Sequence, residues 1–198
     1  MANFCEYTDI ENILQITIGA DLLTLANFAI TESTAAIQNY THQTLEKVEN
    51  DTIIVDGNNS NKLYLPELPV ISVSTVKLNG ITLEYSTDYK LGQHGILYKL
   101  NWTWDSGVQN IEITYSHGYD PIPTEIKSVC ARAASRLVQM AIASGEFNGI
   151  PIVASTSIGD YSVAYNNNAN NSAMGVSGAR ILLPSEMSIL NRYRQVGL

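Results

Sequence analysis

Cysteine is almost missing from this chain: only Cys5 and Cys130 occur in 198 residues, 125 positions apart. That excludes a disulfide framework, and in a reducing compartment two such thiols are expected to be small buried apolar groups. Long hydrophobic runs are missing too. No window approaches the roughly 18 consecutive apolar residues of a membrane span, and the first residues, MANFCEYTD, lack the charged and apolar regions of a signal peptide. The expectation is a protein made and used in the cytosol, with no membrane partner. Positive charge is also scarce. Eleven Lys and Arg face 19 Asp and Glu, a formal net charge of −8, which opposes nonspecific binding to phosphate backbones and disfavours a conventional DNA-binding domain. An acidic surface still suits DNA that must pass without sticking.

What is present describes a folded protein. The chain is 45% hydrophobic and 15% charged, outside the range of disordered segments, and its length suits one domain or one domain with a large insertion. Thr8 stands three positions before Glu11 in TDIENILQITI, the spacing of a capping box, and apolar residues recur at helical intervals from Ile10. After Gly19, Asp21 starts a second helical pattern through about Leu45, with Leu22, Leu25, Ala26, Ala29, Ala36, Ile37 and Tyr40 on one stripe. From Thr52 to Ser116 the period becomes two. Five or six short segments rich in β-branched and aromatic residues are separated by Gly, Asn, Asp and Pro, and Asn79-Gly80 marks a two-residue hairpin turn. Along the last of these, Ile111, Ile113 and Tyr115 share one face, and Glu112, Thr114 and Ser116 the other.

After Pro121, which with Pro123 bars strand pairing, a third long helix is expected from near Pro123, with Pro123-Thr124-Glu125 as its start and Ile126, Val129, Cys130, Ala133, Ala134, Leu137, Ala141 and Ile142 as its stripe. Residues 151–165 read as a hairpin around Gly159-Asp160 that pairs with itself or with a neighbour. The Asn-rich segment 166–178 reads as a linker or exposed loop, and a short helix is expected from about Pro184. The predicted fold class is α+β: a helical bundle core of three main helices plus a short C-terminal helix, carrying an inserted antiparallel β domain. Its boundaries are 1–51 and 121–198 for the core and 52–120 for the insertion.

The sites weighed for chemistry are few. Ser116, His117, Tyr119 and Asp120 crowd one strand-to-helix junction, but no G-x-S-x-G turn or comparable serine setting accompanies them. His117 is therefore expected to hold the junction by a hydrogen bond to backbone. His42, His94, His117, Cys5 and Cys130 never fall at metal-ligand spacing, and GNNSNKLYLPELP lacks the Lys-Ser/Thr of a phosphate loop. Neither a metal nor a cofactor is expected. Trp102 and Trp104 alternate in NWTWDSG; as a stacking pair they support a second reading, a carbohydrate- or peptide-binding module.

The order of the segments is more informative than any site. Tyr7-Thr8-Asp9-Ile10-Glu11-Asn12-Ile13-Leu14, the stretch YLPELPVISVSTVKLNG from Tyr64 to Gly80, and Tyr115-Ser116-His117-Gly118-Tyr119 before Pro121 and Pro123 follow one another. After them come Ser157 to Tyr165 and the closing Leu190-Asn191-Arg192-Tyr193-Arg194. This series resembles the head-to-tail connector, or adaptor, family of tailed bacteriophages over nearly the whole chain; the Asn-rich residues 166–172 depart from the pattern.

The resemblance implies a non-enzymatic structural virion protein at the neck, assembled in the host cytoplasm. It implies a ring of identical subunits, usually twelve, between the portal and the next neck or tail protein, with genomic DNA passing through. It further implies portal contact through a C-terminal arm, with Leu190, Arg192, Tyr193 and Arg194 as its anchors. The hairpin residues Ile158, Gly159, Asp160, Tyr161, Val163 and Tyr165 would then lie between subunits. A tail-completion or stopper protein is the alternative within viral assembly, and is expected to be mostly β.

Overall fold

The computed structural model describes residues 3–143, 155–158, 161–164 and 181–195. The elements run α1 (Tyr7–Leu14), α2 (Ala20–Thr41), β1 (Val48–Gly57), β2 (Lys62–Tyr64), β3 (Val70–Leu78), β4 (Ile81–Thr82), β5 (Tyr89–Leu91), β6 (Ile96–Lys99) and β7 (Gly107–His117). They continue with α3 (Thr124–Ala143), β8 (Ser155–Ile158), β9 (Tyr161–Ala164) and α4 (Pro184–Leu190), followed by a 3-10 turn at Asn191–Tyr193. Among the described residues the class is α+β, with four α-helices and antiparallel sheets. The chain divides into two compact units: one holds 38–126 with 188–198, the other 3–37 with 127–187.

In the first unit β1, β7, β3 and β4 form a four-stranded sheet in that order, and β2, β6 and β5 a three-stranded one. Period-two alternation determines which side chains are buried. Ile111, Ile113 and Tyr115 of β7 are fully buried, while Glu112 and Thr114 between them stay partly open. Val76, Leu63, Leu97, Tyr89 and Trp104 complete one apolar core shared by the two sheets, and burying side chains of this size contributes about 1.5–3 kcal/mol each. Asn79 and Gly80 both take positive φ, at 51° and 79°, the mirror-image turn that matches strand twist.

In the second unit the first helix starts earlier than its spacing suggests. The Glu6 N–H donates to Asp9 Oδ2 at 2.9 Å, so the box is Glu6/Asp9 rather than Thr8/Glu11. Gln15 at φ 54° closes the helix. Ile10, Ala26, Ala29, Ile30, Val129, Cys130, Ala133, Ala134 and Val138 are buried, and the small residues leave room for helices to approach closely. β8 and β9 pair antiparallel from Ser155↔Ala164 to Ile158↔Tyr161; Gly159, Asp160, Tyr165 and the Asn-rich segment lie outside the described residues.

Candidate functional site

The junction after β7 is built for structure. Ser116 and His117 are neighbours on a strand and so point to opposite faces. The Ser116 hydroxyl accepts the Asn50 N–H at 3.1 Å. His117 is 1% exposed; its Nε2 lies 3.3 Å from Asp51 Oδ2, and its ring sits 5.0 Å from that of Tyr115. The partner of His117 is thus a carboxylate on the adjacent strand rather than the backbone expected from the turn. Asp120 is at the surface, 3.8 Å from Lys47 Nζ. Hydroxyl, imidazole and acid never form a relay here. Gly118 turns the chain at φ 91°, where a Cβ would run into the Glu46 carbonyl.

The tryptophan pair separates in the same way. Trp104 is fully buried and its indole N–H donates to the Leu97 carbonyl at 3.3 Å, whereas Trp102 is 78% exposed. Residues 100–106 lie outside any strand, so two rings two positions apart do not share a face, and no two-ring stacking platform forms. Among the described residues no three His, Cys, Asp or Glu side chains gather to hold a metal, and no helix is long and apolar enough to cross a membrane.

The C-terminal residues are well placed for contact, but not as a loose arm. In the first unit, Leu190 is fully buried, which makes it part of the subunit's own core rather than an exposed anchor. Tyr193 donates its hydroxyl to Glu125 Oε2 at 2.8 Å and meets the Tyr119 ring edge-to-face at 5.8 Å. Burial, with the Glu125 carboxylate beside it, pushes the Tyr193 phenol up to about 12. Arg192 lies 3.3 Å from Glu125, the Arg194 guanidinium stands 5.7 Å over the Tyr40 ring, and the Gln195 N–H donates to the Thr41 carbonyl at 2.9 Å.

Arg192, Tyr193 and Arg194 with His94 and Tyr119 line an open cleft of about 430 Å3. Among the described residues no Asp or Glu lines it, and Glu125 engages Arg192 and Tyr193 beside it. Arg194, over the Tyr40 ring, is in no ion pair among the described residues, and its fork suits a carboxylate of a partner.

In the second unit, Glu186 holds the start of the same segment. It is 3% exposed and takes both guanidinium nitrogens of Arg136, at 2.8 and 2.6 Å, and the Leu183 N–H at 2.9 Å. Burial alone would raise its carboxyl, but these partners outweigh it and hold the group below the usual carboxylate range. Nothing in the pattern PSEMSIL singled this residue out; a lone Glu on an apolar helix face was the available signal.

The profile of the head completion protein family matches residues 5–143. The chain belongs to the head completion protein family. The match includes the stretches at Tyr7–Leu14, 64–80 and 115–123 on which the phage head-to-tail connector resemblance rests, and ends before the hairpin and the terminal LNRYR. No curated protein matches the chain. A chain from the virion of a native gene transfer agent particle is similar at TM-score 0.50 and 16% identity, covering 96% of this chain and 89% of that one. The neck of a native particle, computed with C12 symmetry, contains a chain at TM-score 0.49 and 16% identity, covering 96% and 88%. One in the neck of an empty particle, computed with C6 symmetry, gives 0.48 and 16%, covering 92% and 82%. At this identity the likeness of the virion chain concerns the fold of this head completion family member.

Proposed function

We propose that this protein is a structural component of a phage-type virion neck, a head-to-tail connector that forms a ring of identical copies, twelve in number, between the portal and the next neck or tail protein. The observation that carries the reading is the head completion family match over residues 5–143, extended by the LNRYR ending of the connector pattern. The role needs no catalysis. Subunit helices α1, α2 and α3 form a bundle that makes the ring body, and genomic DNA passes through a lumen kept from sticking by the net charge of −8. The residues Arg192, Tyr193 and Arg194, on the cleft they line, are the portal-facing surface, with Arg194 as the guanidinium in no ion pair among the described residues. Residues 155–165 lie between neighbouring subunits: among the described residues β8 pairs with β9 alone, and a two-stranded hairpin is marginal by itself.

Purified protein mixed with portal rings and viewed by negative-stain electron microscopy tests the reading. A second ring seated on the portal, with native mass spectrometry giving many copies per complex, is expected. A single copy per portal ring, or no complex, overturns it. The binding-module reading gains nothing from the structure, since Trp104 is buried in the core, and four helices run against a mostly β stopper.

A further inference from the structure

The two cysteines, which the sequence separates by 125 positions, meet inside the second unit. Cys5 Sγ lies 3.3 Å from Cys130 Sγ; both are free thiols and both are buried. Closing a bond of about 2.04 Å shortens that separation by only about 1.3 Å. The approach is framed on its flanks. The Phe4 N–H, one residue before Cys5, donates to Thr34 Oγ1 at 3.3 Å. Thr34 Oγ1 lies 3.6 Å from Cys130 Sγ, and the Lys127 ammonium, on the turn of α3 before Cys130, pairs with Asp9 of α1 at 3.1 Å. The chain entering α1 is thereby held against α2 through Thr34 and against α3 through Cys130, and the Asp9–Lys127 pair fixes α1 on α3 beside the sulfurs.

We propose that Cys5 and Cys130 are a site of oxidative modification, closing on exposure to a low-molecular-weight disulfide into an intramolecular bond that staples the N-terminal segment to α3. The inference goes beyond the neck role and stands without it. The route begins with local opening of the residues before α1, which lie outside any helix or strand, and that opening brings Cys5 to solvent. Its thiolate attacks one sulfur of the reagent, here oxidised glutathione, and the other half leaves as a thiolate that takes up the proton.

As the segment re-docks, the Cys130 sulfur attacks the Cys5 sulfur of the mixed disulfide, and the second half leaves with the Cys130 proton. Two electrons pass from the cysteine pair to the reagent, which ends as two thiols. In the reduced, docked pair the hydrogen bonds with Cys5 and Thr34 hold the Cys130 thiol below its usual value against burial, while the bond to Cys130 and burial push Cys5 up. Once Cys5 is in the mixed disulfide its S–H is gone, and Thr34 is the hydrogen-bonding side chain left beside the Cys130 sulfur. Cys130 is the resolving nucleophile and Cys5 the point of entry. Because the bond would enclose most of the chain, its effect on the unfolded state is large.

The test uses the full chain, native, with oxidised glutathione. Loss of both thiols per chain without dimer formation is expected, with a product about 2 Da lighter and a Cys5–Cys130 peptide on mapping. The melting temperature should rise by about 5 °C or more and return on reduction. Cys5→Ser, a near-isosteric change outside any helix or strand, should fold and leave the buried Cys130 unreacted; Cys130→Ser should leave Cys5 carrying the mixed disulfide. Two unreacted thiols in the wild type, stable glutathione adducts on it, disulfide-linked dimers, or a lower melting temperature after oxidation would each overturn the proposal. Ready glutathionylation of Cys130 in Cys5→Ser would overturn the order of attack and with it the entry through the segment before α1.

Discussion

At the scale of single residues, the strand-to-helix junction shows how a suggestive cluster becomes architecture. Gly118 tolerates φ 91° and sits where a side chain would meet the Glu46 carbonyl, so Gly118→Ala suffers both backbone strain and a clash. We expect a loss of about 2–4 kcal/mol in stability, read as a lower urea midpoint at unchanged slope. His117 is fixed by Asp51 on one side and Tyr115 on the other. His117→Ala leaves a hole in a filled core and should cost about 2–4 kcal/mol. Asp51→Asn, which keeps the shape and weakens only a contact to a part-exposed group, should cost about 1 kcal/mol or less. Equal effects in thermal melts of the two variants would show that the charge, not the packing, holds the ring. That Ser116 and His117 could not act together was readable from strand alternation alone; that Asp51 would be the partner was not, because β1–β7 register is a long-range property.

At the scale of elements, legibility followed the range of the interactions. β3, β4 and the Asn79-Gly80 turn were readable because period-two burial and a positive-φ pair are local signals. α3 begins at Thr124, one residue after the Pro123 that, with the acidic Glu125, marked its start. The start of α1 was displaced because two overlapping i, i+3 pairs compete, and Glu6/Asp9 won over Thr8/Glu11. Trp102 and Trp104 divided between solvent and core because residues two apart can face differently once the chain leaves a strand.

The Arg136–Glu186 fork, 50 residues apart in sequence, had no local trace, yet it holds α4 to α3. Glu186→Gln leaves Arg136 without its countercharge in a largely buried setting and should cost about 2–4 kcal/mol at neutral pH. The Glu186 carboxyl is held below its unfolded value. Its contribution is therefore complete above the unfolded carboxylate range, about pH 4.5, and fades as pH falls through the lower folded value. The wild-type advantage over Glu186→Gln in melting temperature should shrink below about pH 4.5. A constant gap down to pH 3 would show that the fork does not set the stability of the helix.

At the scale of the whole molecule, folding and assembly make different demands on the same C-terminal residues. The segment was expected to extend from its own subunit on an Asn-rich tether, but Leu190 is buried, Glu186 is clamped by Arg136, and Gln195 donates to Thr41. Removing residues 179–198 therefore takes away core contacts rather than a tether. Truncation after Gly178 should lower the melting temperature by about 10 °C or leave the protein insoluble, the result of losing a buried leucine and a buried ion pair together. Because such a variant confounds folding with docking, the proposed portal-facing surface is tested by charge reversal instead. Arg194→Glu lies on an exposed side chain over Tyr40 and faces no carboxylate among the described residues. Its stability should change by about 0.5 kcal/mol or less.

A carboxylate introduced beside Arg192 in the cleft would repel an acidic partner. Rim charges act mainly on association rate and salt dependence, so Arg194→Glu should slow binding to portal rings about tenfold at low salt, with the gap narrowing as ionic strength rises. Binding that is unchanged at every salt concentration, by a variant that melts like the wild type, would take the portal away from this cleft and leave its guanidinium groups to a neighbouring subunit.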